Sequence, residues 1–262
     1  MSALFAFAPA AAAFEPAFAI DDGFSIPMLS GGVETSLHAP GAETLLDGYG
    51  AALGYTTPFG MSDLSITTVH AAAGFGFWGV SATYSGSGFD LYGDECEKAG
   101  FAVHPLGWLH CGGRITRYAL RIEGFGDAST VTGDAGFVLT PYRSIVIAGV
   151  WEDLANAELG ESKEPIDGCR RFSVGYDAGD GVTLLCGYRD AGRFEPSYYG
   201  GAVAHMGGQL DLGACGCSEP DRLEFMARLH IRGMTGAYRG SYHRELGMTH
   251  GFVLSCQCTR NR

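Results

Sequence analysis

The sequence has few charged residues for its length. Only 18% of the 262 residues are Asp, Glu, Lys or Arg, whereas an ordinary soluble domain carries about 25%. Basic residues are the scarcer kind, because 17 Lys and Arg stand against 29 Asp and Glu and give a formal net charge of −12. A nucleic-acid-binding protein needs a basic surface, so we predict no nucleic-acid partner.

Long apolar runs are missing too, although hydrophobic residues make up 46% of the chain. A transmembrane helix needs about 18 or more consecutive apolar residues, and the body of the sequence has no such run. A helical membrane protein is therefore excluded. Little charge together with the absence of a spanning helix is typical of a protein built from strands, each with one apolar and one polar face.

The short motifs of common enzyme classes are also missing. The sequence has no G-x-S-x-G turn, no H-E-x-x-H pair and no phosphate-binding P-loop. We therefore predict that the protein is not an enzyme, with no catalytic residue and no cofactor.

The eight cysteines do not form a recognised metal-binding pattern. Cys215 and Cys217 share one face of a predicted strand, as do Cys256 and Cys258, and four thiolates can bind zinc tetrahedrally. However, the two strands are not neighbours along the chain, and the C-x₂-C knuckle is absent. We interpret these residues as packing residues or disulfide partners and predict no metal site.

Glycine, in contrast, is abundant. The 41 glycines are about twice the usual share of roughly 7%, and they are scattered through apolar and aromatic segments with only 10 prolines. Such glycines are typical of bends, bulges and close backbone contacts in β-structure.

Period-two alternation supports this interpretation. Within 222–232, one face carries Leu223, Leu229 and Ile231, and the other carries charged residues such as Arg228. This pattern predicts a strand with one apolar and one polar face. Within 114–123, the predicted apolar face carries Tyr118, Leu120 and Ile122, and the predicted polar face carries Arg117, Arg121 and Glu123.

About 14 such segments follow one another between residues 49 and 258, separated by short turn signals. Consecutive strands with short turns pair in antiparallel fashion, and a sheet of this size removes its edges by closing into a barrel. We predict an all-β, antiparallel, up-and-down transmembrane β-barrel. Residues 1–19 are a possible signal peptide, 20–48 an unassigned N-terminal segment, and 259–262 a tail.

The direction of the apolar face decides between two classes of protein. Strands of about 10 residues and aromatic residues near strand ends fit an outer-membrane barrel whose apolar face meets lipid. The alternative is a soluble β-rich binding or interaction module with its apolar face inside and no membrane role.

Several phrases of the sequence resemble PorV/PorQ-type proteins, which are FadL-like outer-membrane barrels. They are GYTTPFGMSDL at 54–64, GFWGVSATY at 76–84 and YHRELGMTHGFVLS at 242–255, and their order and spacing are similar to those of that family. The resemblance implies a protein of the outer membrane of a diderm bacterium. Its implied partners are membrane lipid and an unknown small or hydrophobic compound to be transported. For a secretion-linked role, the resemblance implies secretion-machinery or cargo proteins of a type IX-like system as further partners.

The polar strand faces supply the candidate site. If the apolar faces meet lipid, the charged faces line the lumen, where arginines can pair with acidic residues or bind an anionic ligand such as a carboxylate. The predicted lumen-facing residues are Arg117, Arg121, Glu123, Glu224, Arg228, His230 and Arg232.

Overall fold

The computed structural model describes residues 33–89, 91–160, 163–166, 168–192, 195–219 and 221–259. The predicted signal peptide therefore lies outside the described residues. A short helix α1 (Val33–His38) and three 3₁₀ segments (Ala42–Leu45, Pro58–Gly60 and Ser62–Leu64) accompany sixteen strands. The strands are β1 (Asp47–Thr57), β2 (Ile66–Phe75), β3 (Trp78–Phe89), β4 (Tyr92–Leu106), β5 (Leu109–Ile122), β6 (Gly126–Tyr142), β7 (Ile145–Trp151), β8 (Glu158–Leu159), β9 (Glu164–Pro165), β10 (Arg170–Gly179), β11 (Val182–Asp190), β12 (Ser197–Met206), β13 (Leu210–Cys217), β14 (Arg222–Ile231), β15 (Met234–His243) and β16 (Gly247–Thr259).

Fourteen of these strands form one closed antiparallel barrel, and β8 and β9 form a separate hairpin. Each barrel strand pairs with the next one along the chain, β7 pairs with β10, and β16 closes the ring against β1. The predicted up-and-down topology and strand number are confirmed.

The outer wall of the barrel is apolar. In β1, Tyr49, Leu53 and Tyr55 are exposed, whereas the alternate residues Ala52 and Thr56 are buried inside. The same alternation continues around the barrel, so large exposed hydrophobic side chains cover the outer face. A soluble module with a polar outer wall does not fit this surface, because contiguous apolar patches of this extent mark contact with lipid or protein.

Aromatic residues mark both borders of the apolar belt. Exposed aromatics lie at the two ends of the strands, as in the interfacial girdles of membrane barrels. Trp78, Trp108 and Tyr142 lie at one end, and Trp151, Tyr198 and Tyr242 lie at the other. Tyr199, next to Tyr198 in β12, is buried on the inner face.

The two ends of the barrel differ in their connections. At one end, which we call the turn end, strands are joined by two or three residues, as at 76–77, 180–181 and 232–233. The other end, the loop end, carries longer connections such as 58–65 and 152–169. Outer-membrane barrels have short periplasmic turns and longer extracellular loops, and this general asymmetry predicts a periplasmic turn end.

The connection between β7 and β10 fills a gap in the wall. β7 is only 7 residues long and pairs with the turn-end half of β6, so the loop-end half of β6 has no neighbouring barrel strand on that side. Leu154 donates a backbone hydrogen bond to Gly133 of β6, and the β8–β9 hairpin continues beside it. No helix among the described residues is long and apolar enough to span a membrane.

Candidate functional site: a plugged lumen

Residues 33–46 form a plug inside the barrel near the turn end. Val33, Leu37 and Leu46 are buried against small inward-facing residues of β1, β2, β15 and β16, and Ala39 and Ala42 pack on β6 and β7. Residues 20–48 could not be assigned from the sequence, and the structure places 33–46 of them in the lumen.

Glycines in the wall make room for the plug. A side chain at Gly112 would come within 2.3 Å of the backbone nitrogen of Gly41, and one at Gly74 within 2.1 Å of the carbonyl oxygen of Leu46. Both distances are far below contact distance, so only glycine permits this close approach of two backbones. Part of the glycine excess therefore reflects the plug rather than strand bending.

Glu34 anchors the first turn of the plug to the last three strands. One carboxylate oxygen accepts hydrogen bonds from Arg228 of β14 at 3.2 Å and Arg239 of β15 at 3.0 Å. The other accepts one from the hydroxyl of Ser255 in β16 at 2.8 Å. Charge-assisted hydrogen bonds of this kind are about twice as strong as neutral ones, so Glu34 is a principal attachment point.

Arg114 of β5 holds the opposite side of the plug. Its guanidinium donates to the backbone carbonyls of Ser36 and Leu37 and lies 3.3 Å from Glu43. Glu43 in turn accepts hydrogen bonds from Ser81 of β3 at 2.7 Å and from the backbone of Gly41 at 2.8 Å. The carboxylates of the plug thus meet cations on both sides of the barrel.

A second charged cluster lies inside the barrel on the loop-end side of the plug. Glu152, which follows β7, accepts from Lys98 at 3.4 Å and Arg171 at 3.0 Å. Asp134 lies 4.0 Å from Lys98 and accepts from Thr116 at 2.7 Å. These groups satisfy one another along one side of the inner wall, and this pairing offsets the cost of burying their charges.

An apolar patch lies on another part of the inner wall. The inward residues of β11 to β14 form one buried cluster of Leu185, Tyr199, Val203, Cys215, Cys217 and Met226. The interior therefore has a charged wall on β4 to β7 and β10 and an apolar patch on β11 to β14.

Three of the predicted lumen residues lie inside the barrel, all on β14. Glu224 is fully buried 2.9 Å from Arg222, and Arg228 binds Glu34 of the plug. His230 is half-buried near the turn end, where its ring lies 2.9 Å from Asp211. Arg232 begins the turn after β14 and is exposed.

The structure places the predicted lumen residues of β5 and of the turn after it outside the lumen. Arg117 shares the outer face with Ile115 and pairs with Glu97 at 3.0 Å, with both side chains about half exposed. Arg121 and Glu123 are also exposed, beyond the belt. Tyr118, expected on the lipid face, is buried inside against Cys96 and the hairpin residues Ala157 and Ile166.

The physical reason lies in the length of β5. Its 14 residues extend beyond the apolar belt, so water meets the outer face at the loop end and permits charged residues there. The hairpin covers the inner face at the same level and buries apolar residues. In the loop-end half of β5, the outer face is therefore charged and the inner face apolar. Alternation in this half predicts the charged residues to face the lumen, whereas they face outward.

Two cavities accompany these residues. A cavity of about 880 Å³ opens around the loop-end parts of β3 to β6, and Arg117, Arg121, Tyr84, Glu95 and Asp127 are among its lining residues. A small one of about 50 Å³ lies beside the plug and is lined by Glu34, Arg228, His230 and Arg239 among others.

The four cysteines considered as a zinc set do not meet. Cys215 and Cys217 are buried on the inner face of β13, whereas Cys256 and Cys258 are exposed on the outer face of β16. Because β14 and β15 separate these strands, the four-thiolate site is ruled out.

No protein-family model matches the sequence, and no curated protein matches it either. Solved structures do share the fold. The toluene transporter TodX of Pseudomonas putida superimposes with a TM-score of 0.64 at 10% identity, covering 92% of this chain and 96% of that one. The toluene transporter TbuX of Ralstonia pickettii gives 0.62 at 8% identity over 86% and 94%. A FadL homologue of Pseudomonas aeruginosa gives 0.62 at 9% identity over 89% and 95%. The chain is thus similar in fold to FadL-type outer-membrane barrels, as the resemblance implied, and the narrower likeness to PorV/PorQ proteins stays a prediction.

Proposed function

We propose that this protein is an outer-membrane barrel that admits a small, largely apolar molecule into a diderm cell, with residues 33–46 closing the lumen at rest. The observation that carries the proposal is the combination of an apolar outer belt with an interior plug held by ion pairs. A barrel that served only as a membrane anchor would not need a segment fixed inside it.

The outer surface supports an outer-membrane location. A closed barrel satisfies all backbone groups without water, which is the condition for strands to cross a lipid layer. The aromatic girdles and the short turns at one end fit the same environment.

The interior supports an apolar permeant. Two of the similar structures are described as toluene transporters, and a third similar structure is described as a monoaromatic hydrocarbon channel. In this chain, Leu185, Val203 and Met226 offer an apolar inner patch beside the charged wall. Transport needs no catalytic residue, so the proposal includes the absence of enzyme activity. The secretion-linked role that the resemblance also implies stays a prediction.

An uptake experiment tests the proposal. The protein is expressed in a diderm host that lacks its own hydrocarbon transporter, and the initial uptake of radiolabelled toluene and of a long-chain fatty acid is measured per amount of folded barrel. We expect uptake of at least one probe to rise above that of the empty vector. Equal rates with and without the barrel for both probes would contradict the proposal.

A matched pair of variants links uptake to the inner patch. Leu185→Gln places an amide on the buried inner face, where an unpaired amide costs about 1–3 kcal/mol, and should lower uptake. Leu184→Gln makes the same change at the neighbouring residue, which faces outward, and should leave uptake near the wild-type rate. Equal uptake by the two variants would exclude the inner patch from the route.

A further inference from the structure

Cys215, Cys217 and Glu224 meet on the inner face of the barrel near the loop end. Cys215 lies directly opposite Glu224 in the pairing of β13 with β14, and Cys217 is two residues further along on the same face. All three are buried, with 2%, 6% and 0% of their surface exposed. One ligand atom from each, the two sulfurs and a carboxylate oxygen, lie within 4.8 Å of one another.

We propose that these three residues bind one thiophilic divalent cation of the zinc class. Zinc binds cysteine sulfur at about 2.3 Å and carboxylate oxygen at about 2.0–2.2 Å, usually in a tetrahedron. A tetrahedron of that size has ligand atoms about 3.5–3.8 Å apart. The observed spacing is therefore close to that of a bound set, and rotation of the side chains closes the difference.

The charges of the cluster suit a bound cation. Two thiolates and one carboxylate carry three negative charges, and Arg222, whose Nε lies 2.9 Å from Glu224, contributes one positive charge. A divalent cation brings the sum to zero. Without the cation, both thiols are neutral, and the positive charge of Arg222 balances the negative charge of Glu224. Binding therefore exchanges one cation for two thiol protons and leaves the net charge of this buried region unchanged.

The surroundings favour a metal over the alternatives. Residues two apart in a strand have Cα atoms about 6.8 Å apart, which is at the upper limit of the distance that a disulfide spans. The site also belongs to a cluster of apolar residues that includes Met226. Soft sulfur ligands in an apolar setting select zinc or Cu(I) over Mg²⁺ or Ca²⁺.

Three protein ligands leave one coordination position open. Zinc sites with three ligands hold water or an exchangeable molecule at the fourth position. The site lies within a few residues of the turn 218–221 at the loop end, so the cation would join β13 to β14 there. This inference is independent of the proposed transport of an apolar molecule.

Titration with metal tests the site. Purified full-length barrel in detergent is reduced with a phosphine, treated with chelator and titrated with Co²⁺, whose thiolate complexes have near-ultraviolet charge-transfer bands. Zn²⁺ is then added as a competitor. We expect about one equivalent of Co²⁺ to give this band, Zn²⁺ to displace it, and about two protons to be released per ion.

Variants separate this site from the other cysteines. Cys215→Ser with Cys217→Ser should abolish the band, and Glu224→Gln should lower affinity at least tenfold, because even an outer-shell change costs about 10–100-fold. The matched control, Cys256→Ser with Cys258→Ser on the outer face, should bind as the wild type does. The proposal is overturned if the folded wild type gives no band, or if the folded inner pair of variants keeps the band. A heat-modifiability gel confirms that each variant is folded.

Discussion

Leu254→Arg is expected to lower the folded fraction of the protein in a lipid bilayer markedly. Leu254 lies in the middle of β16, is 54% exposed and pairs with Leu53 of β1, which is equally exposed. An arginine on the lipid face near the bilayer midplane costs about 2–4 kcal/mol, a large part of the roughly 5–15 kcal/mol that stabilises a typical fold. The folded fraction in lipid vesicles, from gels run before and after boiling, measures the effect.

Leu246→Arg is the matched control. Leu246 is exposed to a similar extent but lies in the connection between β15 and β16 at the loop end, outside the apolar belt. The same change near the interface costs only about 0–1 kcal/mol, so assembly should stay close to that of the wild type. If both variants assembled equally well, the outer wall would not face lipid.

Glu34→Ala is expected to release the plug from the lumen while the ring of fourteen strands stays intact. The change leaves Arg228 and Arg239 without the carboxylate they share, and removing one partner of a buried ion pair costs about 3–5 kcal/mol. The strand pairings of the wall do not involve the Glu34 side chain. We therefore expect normal heat-modifiability together with a marked increase in single-channel conductance in planar bilayers.

Glu97→Ala provides the comparison for this experiment. Glu97 also pairs with an arginine, Arg117, but both side chains are about half exposed on the outer face. Exposed pairs contribute about 0–1 kcal/mol, so the conductance should not change. A Glu34→Ala barrel that conducts no better than Glu97→Ala would show that the plug stays in place without this anchor.

The contrast between β14 and β5 explains how far the sequence could predict the site. β14 is 10 residues long and stays within the belt, so one alternation describes the whole strand and correctly places Leu229 outside and Arg228 inside. β5 extends past the belt, and its faces depend on the hairpin and on water at the loop end. Alternation with a period of two residues separates the two faces of a strand, but it does not tell which face lies outside the barrel.

The plug could not be predicted from local patterns. Its helix has only six residues, too few for a clear amphipathic period, and the partners of Glu34 lie 194 to 221 positions away in the sequence. The excess of glycine was the available signal. Its cause at Gly74 and Gly112 is the backbone of the plug, which only the three-dimensional arrangement reveals.

The position of Glu34 also bears on the order in which the molecule is built. The seam between β1 and β16 joins residues such as Ala52 and Ser255, and such distant contacts form late because loop closure is costly. Glu34 is the carboxylate that meets the final three strands of the same ring. A nascent chain that stops before β14 lacks Arg228 and Arg239, the two cations that pair with Glu34. Binding of the plug inside the barrel therefore depends on synthesis of the last three strands.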